Sequence, residues 1–261
     1  MQNNIFSGLF VGQNFITLNE VDSTNNFLKE LLSNSKPLME GTVIMAVNQF
    51  AGRGQQQQNG WYAAPGKNLT FSILLKPHFL QVINQFDLVR AISLGVFDAI
   101  SPLLGDNLKI KWPNDIYYAD DKLGGILIEN MVQAGQIKSS IIGIGINVNQ
   151  DAFPPGLLNA VSLKQILHQD YDLKTLLSEI CRHIEAWYLN LKAGNILAVR
   201  KAYLSRLYWL NENKSFRTAQ EGIFSGTIKD VRSNGLLVIN NNNDEELEFS
   251  LKEIEFLNKV H

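Results

Sequence analysis

The chain has 261 residues, enough for one sizeable α/β domain or a large domain with a small one beside it. A formal charge of −2 argues against a protein that grips nucleic acid through a broad basic face. The single cysteine, Cys181, rules out an intramolecular disulfide and fits a reducing, cytoplasmic setting. The N-terminal "MQNNIFSGLF" lacks the pattern of an export signal, and no apolar run is read as reaching the roughly 20 residues of a membrane span.

"FITLNE" (15–20) alternates apolar and polar residues and predicts a first strand. In "DSTNNFLKELL", Ser23 or Thr24 caps a helix whose apolar face is Phe27, Leu28, Leu31 and Leu32. "TVIMAVNQ" (42–49) and "KNLTFSILLK" (67–76) read as buried strands. The stretch 83–100 carries apolar residues at helical spacing and predicts a long helix ended near Pro102. "LKIKWPNDIYYADDKLGGILIEN" (108–130) holds a Pro-Asn-Asp break and two strands joined through Ala119-Asp120-Asp121. "SSIIGIGINVN" (139–149) is a strand punctuated by glycine.

After Pro154-Pro155 the period changes. Residues from Leu173 to Leu191 mark one face of a long helix, and a second helix spans about 195–208. From about Asn213 short strands with glycine turns predict a small β-barrel or appended sheet, with 239–249 as a hairpin tip. The expected division is a catalytic part over 1–210 and a β unit over 211–261. Strands outnumber helices before residue 150 without regular alternation, so the fold class is α+β with a mixed sheet, not a doubly wound one.

Several chemistries find no support. His78, His168, His183 and His261 are scattered, with no pair at metal-ligand spacing. There is no nucleophile elbow, no phosphate-binding P-loop and no complete dinucleotide fingerprint. What remains is polar residues at the ends of apolar strands, where a rigid sheet can present side chains to a ligand. They fall in four clusters: 23–25, 49–54, 111–129 and 143–149. Each has an ordinary reading. Ser23-Thr24-Asn25 caps a helix, Gly143 and Gly145 permit close strand packing, and Lys122 decorates a hairpin.

Their combination is more specific. Gly52-Arg53-Gly54, Lys111-Trp112-Pro113-Asn114-Asp115, Lys122-Leu123-Gly124-Gly125-Ile126 and Gly143-Ile144-Gly145-Ile146-Asn147, in this order, resemble the biotin protein ligases (biotin–[acetyl-CoA-carboxylase] ligases) from about Phe15 to Leu210. The resemblance implies a class II synthetase-like fold of the biotin–lipoate ligase type with a small C-terminal SH3-like barrel. It implies formation of biotinyl-5′-adenylate from biotin and ATP, then transfer of biotin to a lysine of a biotin carboxyl carrier protein. The attacking nucleophile then belongs to the partner.

By the same resemblance, Ser23, Thr24, Asn25 and Gln49 surround the head of biotin, and Gly125, Gly143 and Gly145 let its rings and tail approach the sheet. Gly52, Arg53 and Gly54 surround the carboxylate and α-phosphate, and Lys122 neutralises charge between acyl oxygen and phosphate. Trp61, Lys111, Asn114 and Asn147 serve ATP, and Asp115 orients or deprotonates the incoming lysine. Mg2+ is expected mainly through the ATP phosphates, with no protein ligand named.

Gln55 to Gln58 stand where many relatives carry further basic residues, in a segment expected to act as a lid over the ligand. A strand starting near Phe15 leaves no room for the helix-turn-helix of bifunctional relatives, so the expectation is a ligase without DNA or membrane binding; a sheet-edge homodimer occurs among relatives. The alternatives are a lipoate–protein ligase or a non-catalytic biotin-binding module.

Overall fold

A computed structural model describes residues 6–33, 37–54, 60–157 and 159–257. The glutamine run expected to form a lid lies outside these residues. In chain order the elements are β1 (Phe15–Val21), α1 (Thr24–Ser33), β2 (Val43–Gln49), the short strands β3 (Gly52–Arg53) and β4 (Gly60–Trp61), β5 (Leu69–Leu75), α2 (Phe86–Leu104), β6 (Leu108–Lys111), β7 (Asp115–Tyr118), β8 (Asp121–Gln133) and β9 (Gln136–Ile146). Then follow α3 (Leu163–Leu167), α4 (Leu173–Lys192), α5 (Ile196–Ser205), β10 (Asn213–Thr218), β11 (Gly222–Val231), β12 (Leu237–Asn241), β13 (Glu246–Phe249) and β14 (Ile254–Phe256).

Seven strands form one mixed sheet in the order β1-β2-β5-β9-β8-β7-β6. The β1–β2 pair is parallel and the other neighbours are antiparallel. Strand alternation gives the sheet two unlike faces. On one face Ile142, Ile144 and Ile146 of β9 join Phe71, Ile73 and Leu75 of β5 in the main core, packed by α2, α4 and α5. On the other face Leu28 of α1 packs on Ile44, Leu74 and Ile141 in a small second core. Beyond Ile141 that face turns bare, because the next outward positions of β9 are Gly143 and Gly145.

Helix α2 runs further than the pattern predicts, because Pro102 lies inside its last turn. A proline there removes one N–H, and the Ser101 hydroxyl lies 3.5 Å from the carbonyl of Asp98 that this N–H would have served. Val82–Asn107 is also longer and more apolar than the sequence reading allows, enough by length and composition to cross a membrane. Here it is the core helix, with Leu88, Ala91, Ile92, Leu94 and Val96 wholly buried. Helix α5 ends at Ser205, short of the expected 208. Helix α4 starts where Asp172 caps the Thr175 N–H at 2.8 Å. Two hairpins were not anticipated, β3–β4 and the long β8–β9 pair. The second turns through Ala134 and Gly135, both at positive φ.

Strands β10 to β14 form a five-stranded antiparallel sheet in the order β13-β12-β11-β10-β14, with 239–249 forming a hairpin. Its Phe216, Ile228, Leu237 and Ile239 belong to the same core as the large sheet. Polar anchors fix the join. The guanidinium of Arg90, on α2, is buried; it pairs with Asp87 at 2.6 Å and donates to the carbonyls of Val231 at 2.9 Å and Arg232 at 2.5 Å. Asp87 also receives Arg200 of α5, and the indole of Trp112 donates to the Gly235 carbonyl at 2.9 Å.

Removing Arg90 leaves Asp87 under-compensated and two buried carbonyls unpaired. Arg90→Ala is expected to destabilise the protein by about 3–5 kcal/mol, measured by urea unfolding. A loss below about 1 kcal/mol would contradict this view of the join.

Candidate active site

The bare stretch of the sheet is the floor of a cleft of about 840 Å³. Gly125 of β8 sits directly across from Gly145 of β9, and Leu127 across from Gly143. A Cβ on Gly143 would lie 2.5 Å from Asn25 Oδ1, and one on Gly145 2.3 Å from the Trp61 ring. Both distances are below any real contact, so a side chain at either position would displace Asn25 or the Trp61 ring.

One end of the cleft is neutral and hydrogen-bonding. It is built from the first turn of α1 and the end of β2. Ser23 caps the helix only loosely, 3.5 Å from the Asn26 N–H, so the sequence's ordinary reading of this tripeptide is part of the answer. Gln49 Oε1 accepts from the Thr24 N–H at 2.9 Å and the Thr24 hydroxyl at 3.2 Å. The Ser72 hydroxyl, from β5, donates to Asn25 Oδ1 at 2.6 Å and lies 2.7 Å from Thr24 Oγ1. Asn25 Nδ2 in turn donates to Glu129 Oε2 at 2.7 Å.

The other end carries Lys122 and Lys111, while a further cation, Arg53, lies beside Asn25 through their shared Glu129 oxygen. Arg53 pairs with Glu129 at 2.9 Å, and Lys122 with Asp115 at 2.8 Å. Burial pushes the Glu129 carboxyl up, but hydrogen bonds from Lys29 and Asn25 and the charge of Arg53 outweigh it, and the net shift is downward. Among the described residues Lys111 forms no ion pair. Its ammonium lies 4.7 Å from the Tyr117 ring centre and 5.0 Å from that of Phe256, and donates to Tyr117 Oη at 3.3 Å. Burial lowers its pKa to about 8, partly opposed by Asp115 and reinforced by Lys122.

Trp61 and Asn147 flank this end. Trp61 Nε1 and Asn147 Oδ1 are buried with no hydrogen-bond partner among the described residues, although Asn147 Nδ2 donates to the Val161 carbonyl at 3.1 Å. Orphaned groups of this kind are costly unless a ligand completes them.

The cleft thus gathers Ser23, Thr24, Asn25, Gln49, Arg53, Gly54, Trp61, Lys111, Asn114, Asp115, Lys122, Gly125, Gly143, Gly145 and Asn147 from the sequence reading. Gly52 is not in its lining. It pairs with Trp61 in the β3–β4 hairpin, where a Cβ would lie 2.5 Å from the Trp61 carbonyl oxygen. Asn114 reaches the cleft, but its amide donates to the Ile126 carbonyl and ties down the turn before β7. Trp112 of the same motif serves mainly as the anchor to Gly235.

Other contributors were not named from the sequence. Ser72 and Glu129, which hold Asn25 from behind the lining, carried a signal, since alternation puts them on the faces of Thr70 and of Gly125 and Leu127. Leu251 and Phe256 had none, for they reach the cleft from the far end of the chain.

A model of the biotin/lipoate A/B protein ligase family matches residues 18–147. The bifunctional ligase/repressor BirA of Bacillus spizizenii is 32% identical over 233 residues, covering 88% of this chain and 70% of that protein. The biotin–[acetyl-CoA-carboxylase] ligase of Paracoccus denitrificans is 28% identical, covering 85% of this chain and 92% of its own. Among solved structures, the biotin protein ligase from Aquifex aeolicus in complex with biotin and ATP superposes with a TM-score of 0.77 at 28% identity, over 93% of this chain and 98% of that one.

Lys111 generates a pH test. Its folded pKa, about 8, lies below the ordinary value of 10.5, so between these limits the unfolded chain binds more protons and stability rises with pH. The unfolding free energy of wild type relative to Lys111→Met is therefore expected to increase from pH 8 to pH 10. A difference independent of pH would contradict the burial of this charge.

Proposed function

The chain belongs to the biotin/lipoate A/B protein ligase family, and we propose that it is an ATP-dependent biotin–protein ligase that works along this one cleft, from biotin head to nucleotide. The observation that carries this reading is the polarity of the cleft. A neutral hydrogen-bonding end and a cationic end are joined by a floor of glycines, as an apolar bicyclic acid attached to a nucleotide requires.

In the first step a carboxylate oxygen of biotin attacks the α-phosphorus of ATP, the bond to the β,γ-diphosphate breaks, and pyrophosphate leaves. Both partners in that attack are anions, so the chain's task is to neutralise and align them. Arg53 and Lys122 bring cations to the carboxylate and α-phosphate, while Lys111 offers its ammonium to the phosphates. Ser23, Thr24, Asn25 and Gln49 supply hydroxyl and amide groups to the ureido head, and buried groups of that kind discriminate against a ligand that leaves them unpaired. Trp61 gives the adenine a π-face, and Asn147 Oδ1 gives its amino group an acceptor.

In the second step a carrier lysine attacks the acyl carbon and AMP departs. Free lysine has a pKa of about 10.4, so the amine must lose a proton first. Asp115 is the base or orienting group for it, since its carboxylate already lies beside Lys122. The acceptor is a lysine of a carboxyl-carrier domain. Magnesium is expected to enter bound to the ATP phosphates, as part of the substrate. Residues 1–210 carry the chemistry and 211–261 close the nucleotide end through Leu251 and Phe256.

Mixing the protein with biotin and ATP is expected to release pyrophosphate and yield biotinyl-5′-adenylate, while lipoate in place of biotin releases none. Release with lipoate alone would overturn the assignment in favour of a lipoate ligase; release with neither would leave a binding module. Lys122→Ala and Arg53→Ala are each expected to slow adenylate formation at least about tenfold, a loss of about 1.4 kcal/mol of transition-state stabilisation, with the fold intact. Near-normal single-turnover rates would remove both residues from their roles.

A further inference from the structure

Glu129 has no place in the chemistry above, yet three elements converge on it. Its Oε1 accepts from Lys29 at 2.5 Å, and its Oε2 accepts from both Asn25 Nδ2 at 2.7 Å and Arg53 Nη2 at 2.9 Å. All three partners are donors. A carboxylate is acceptor-only and can serve them together, whereas a glutamine amide must turn its NH2 group toward at least one.

Two of the donors are residues of the cleft, brought side by side because both bond the same oxygen. Asn25 is fixed in orientation, because its Oδ1 accepts from Ser72 and its Nδ2 donates to Glu129. It also lies in the space that a Cβ on Gly143 would occupy. Arg53 sits on the short β3 strand, across from Gly60 of β4, and its side chain is 39% exposed. Only one of the guanidinium's five N–H donors is engaged in this bond, so the pairing orients Arg53 while leaving donors for an anion.

We infer that Glu129 is a positioning residue which, by holding Asn25 and Arg53 on one carboxylate oxygen, fixes the arginine beside the residues of the biotin head. The inference rests on the biotin-ligase reading for the identity of the ligand. Its content is that Glu129 acts through Arg53: the ion pair keeps a half-exposed arginine, otherwise free to sample many rotamers, in the orientation that adenylate formation uses.

The test is a double-mutant cycle on single-turnover adenylate formation, with enzyme in excess over biotin. Glu129→Gln is expected to slow the reaction at least about tenfold in the wild-type background and less than about twofold in Arg53→Ala, where there is no guanidinium left to position. An equal fall in both backgrounds would overturn the inference, because a purely structural role does not depend on Arg53. If Glu129→Gln does not fold, Glu129→Asp carries the same cycle, keeping the charge while drawing the carboxylate back by one methylene. The same dependence on Arg53 is expected, and equal losses again overturn it. Wild-type protein that forms no adenylate would refute the functional reading itself, whereas an active wild type with additive losses refutes only the role of Glu129.

Discussion

Everything in the site depends on the absence of side chains at the centre of one sheet face. Gly125, Gly143 and Gly145 lie together because β8 and β9 are held in antiparallel register, with Gly125 across from Gly145. The opposite face of β9 carries Ile142, Ile144 and Ile146, which anchor the strand in the main core. One strand therefore does two jobs by alternation: it is as apolar as a core strand on one side and flat on the other. Asn25 and Trp61 lie directly on that flat surface, and a ligand in the cleft would share it with them.

A bare floor positions nothing by itself, and the orienting groups arrive from the sheet's ends and from other elements. Arg53 and Lys122 each have a carboxylate partner within 3 Å, which keeps them ordered in a half-open cleft. Lys111 is held differently, between the rings of Tyr117 and Phe256, and forms no ion pair among the described residues. Phe256 comes from the C-terminal sheet, which is fastened to the β6–β7 turn by the Trp112–Gly235 bond and to α2 by Arg90. The small sheet is thereby a wall of the site and a part of the same core.

Much of this was legible in the sequence where the signal was local. Period-two alternation located β1, apolar runs located β2 and β5, a glycine-punctuated apolar run located β9, and helical spacing located α1, α2 and α4. The four clusters held every named site residue but Trp61, and all of these residues except Gly52 reach one cleft. The reading was weaker where tertiary context decides. Pro102 suggested a helix end, but a proline in the last turn removes only one bond. The span 82–107 looked too short for a continuous apolar helix because polar residues interrupt it, although Asp87 and Arg90 are buried and paired with each other. Gly52 and Asn114 share motifs with residues that face the cleft, yet one is needed for hairpin packing and the other to tie a turn. Phe256, which meets Lys111 from 145 positions along the chain, could not be found by any local pattern.

The central claim is that one ligand lies flat along the glycine floor, with its neutral head beside Asn25 and Gln49 and its phosphate beside Arg53 and Lys122. A crystal structure with a non-hydrolysable biotinyl-adenylate analogue tests it most directly. The account predicts bicyclic rings over Gly143, a phosphate mimic within hydrogen-bonding distance of Arg53 and Lys122, and adenine against Trp61. An analogue bound in the reverse direction, or away from the β8–β9 glycines, would contradict it.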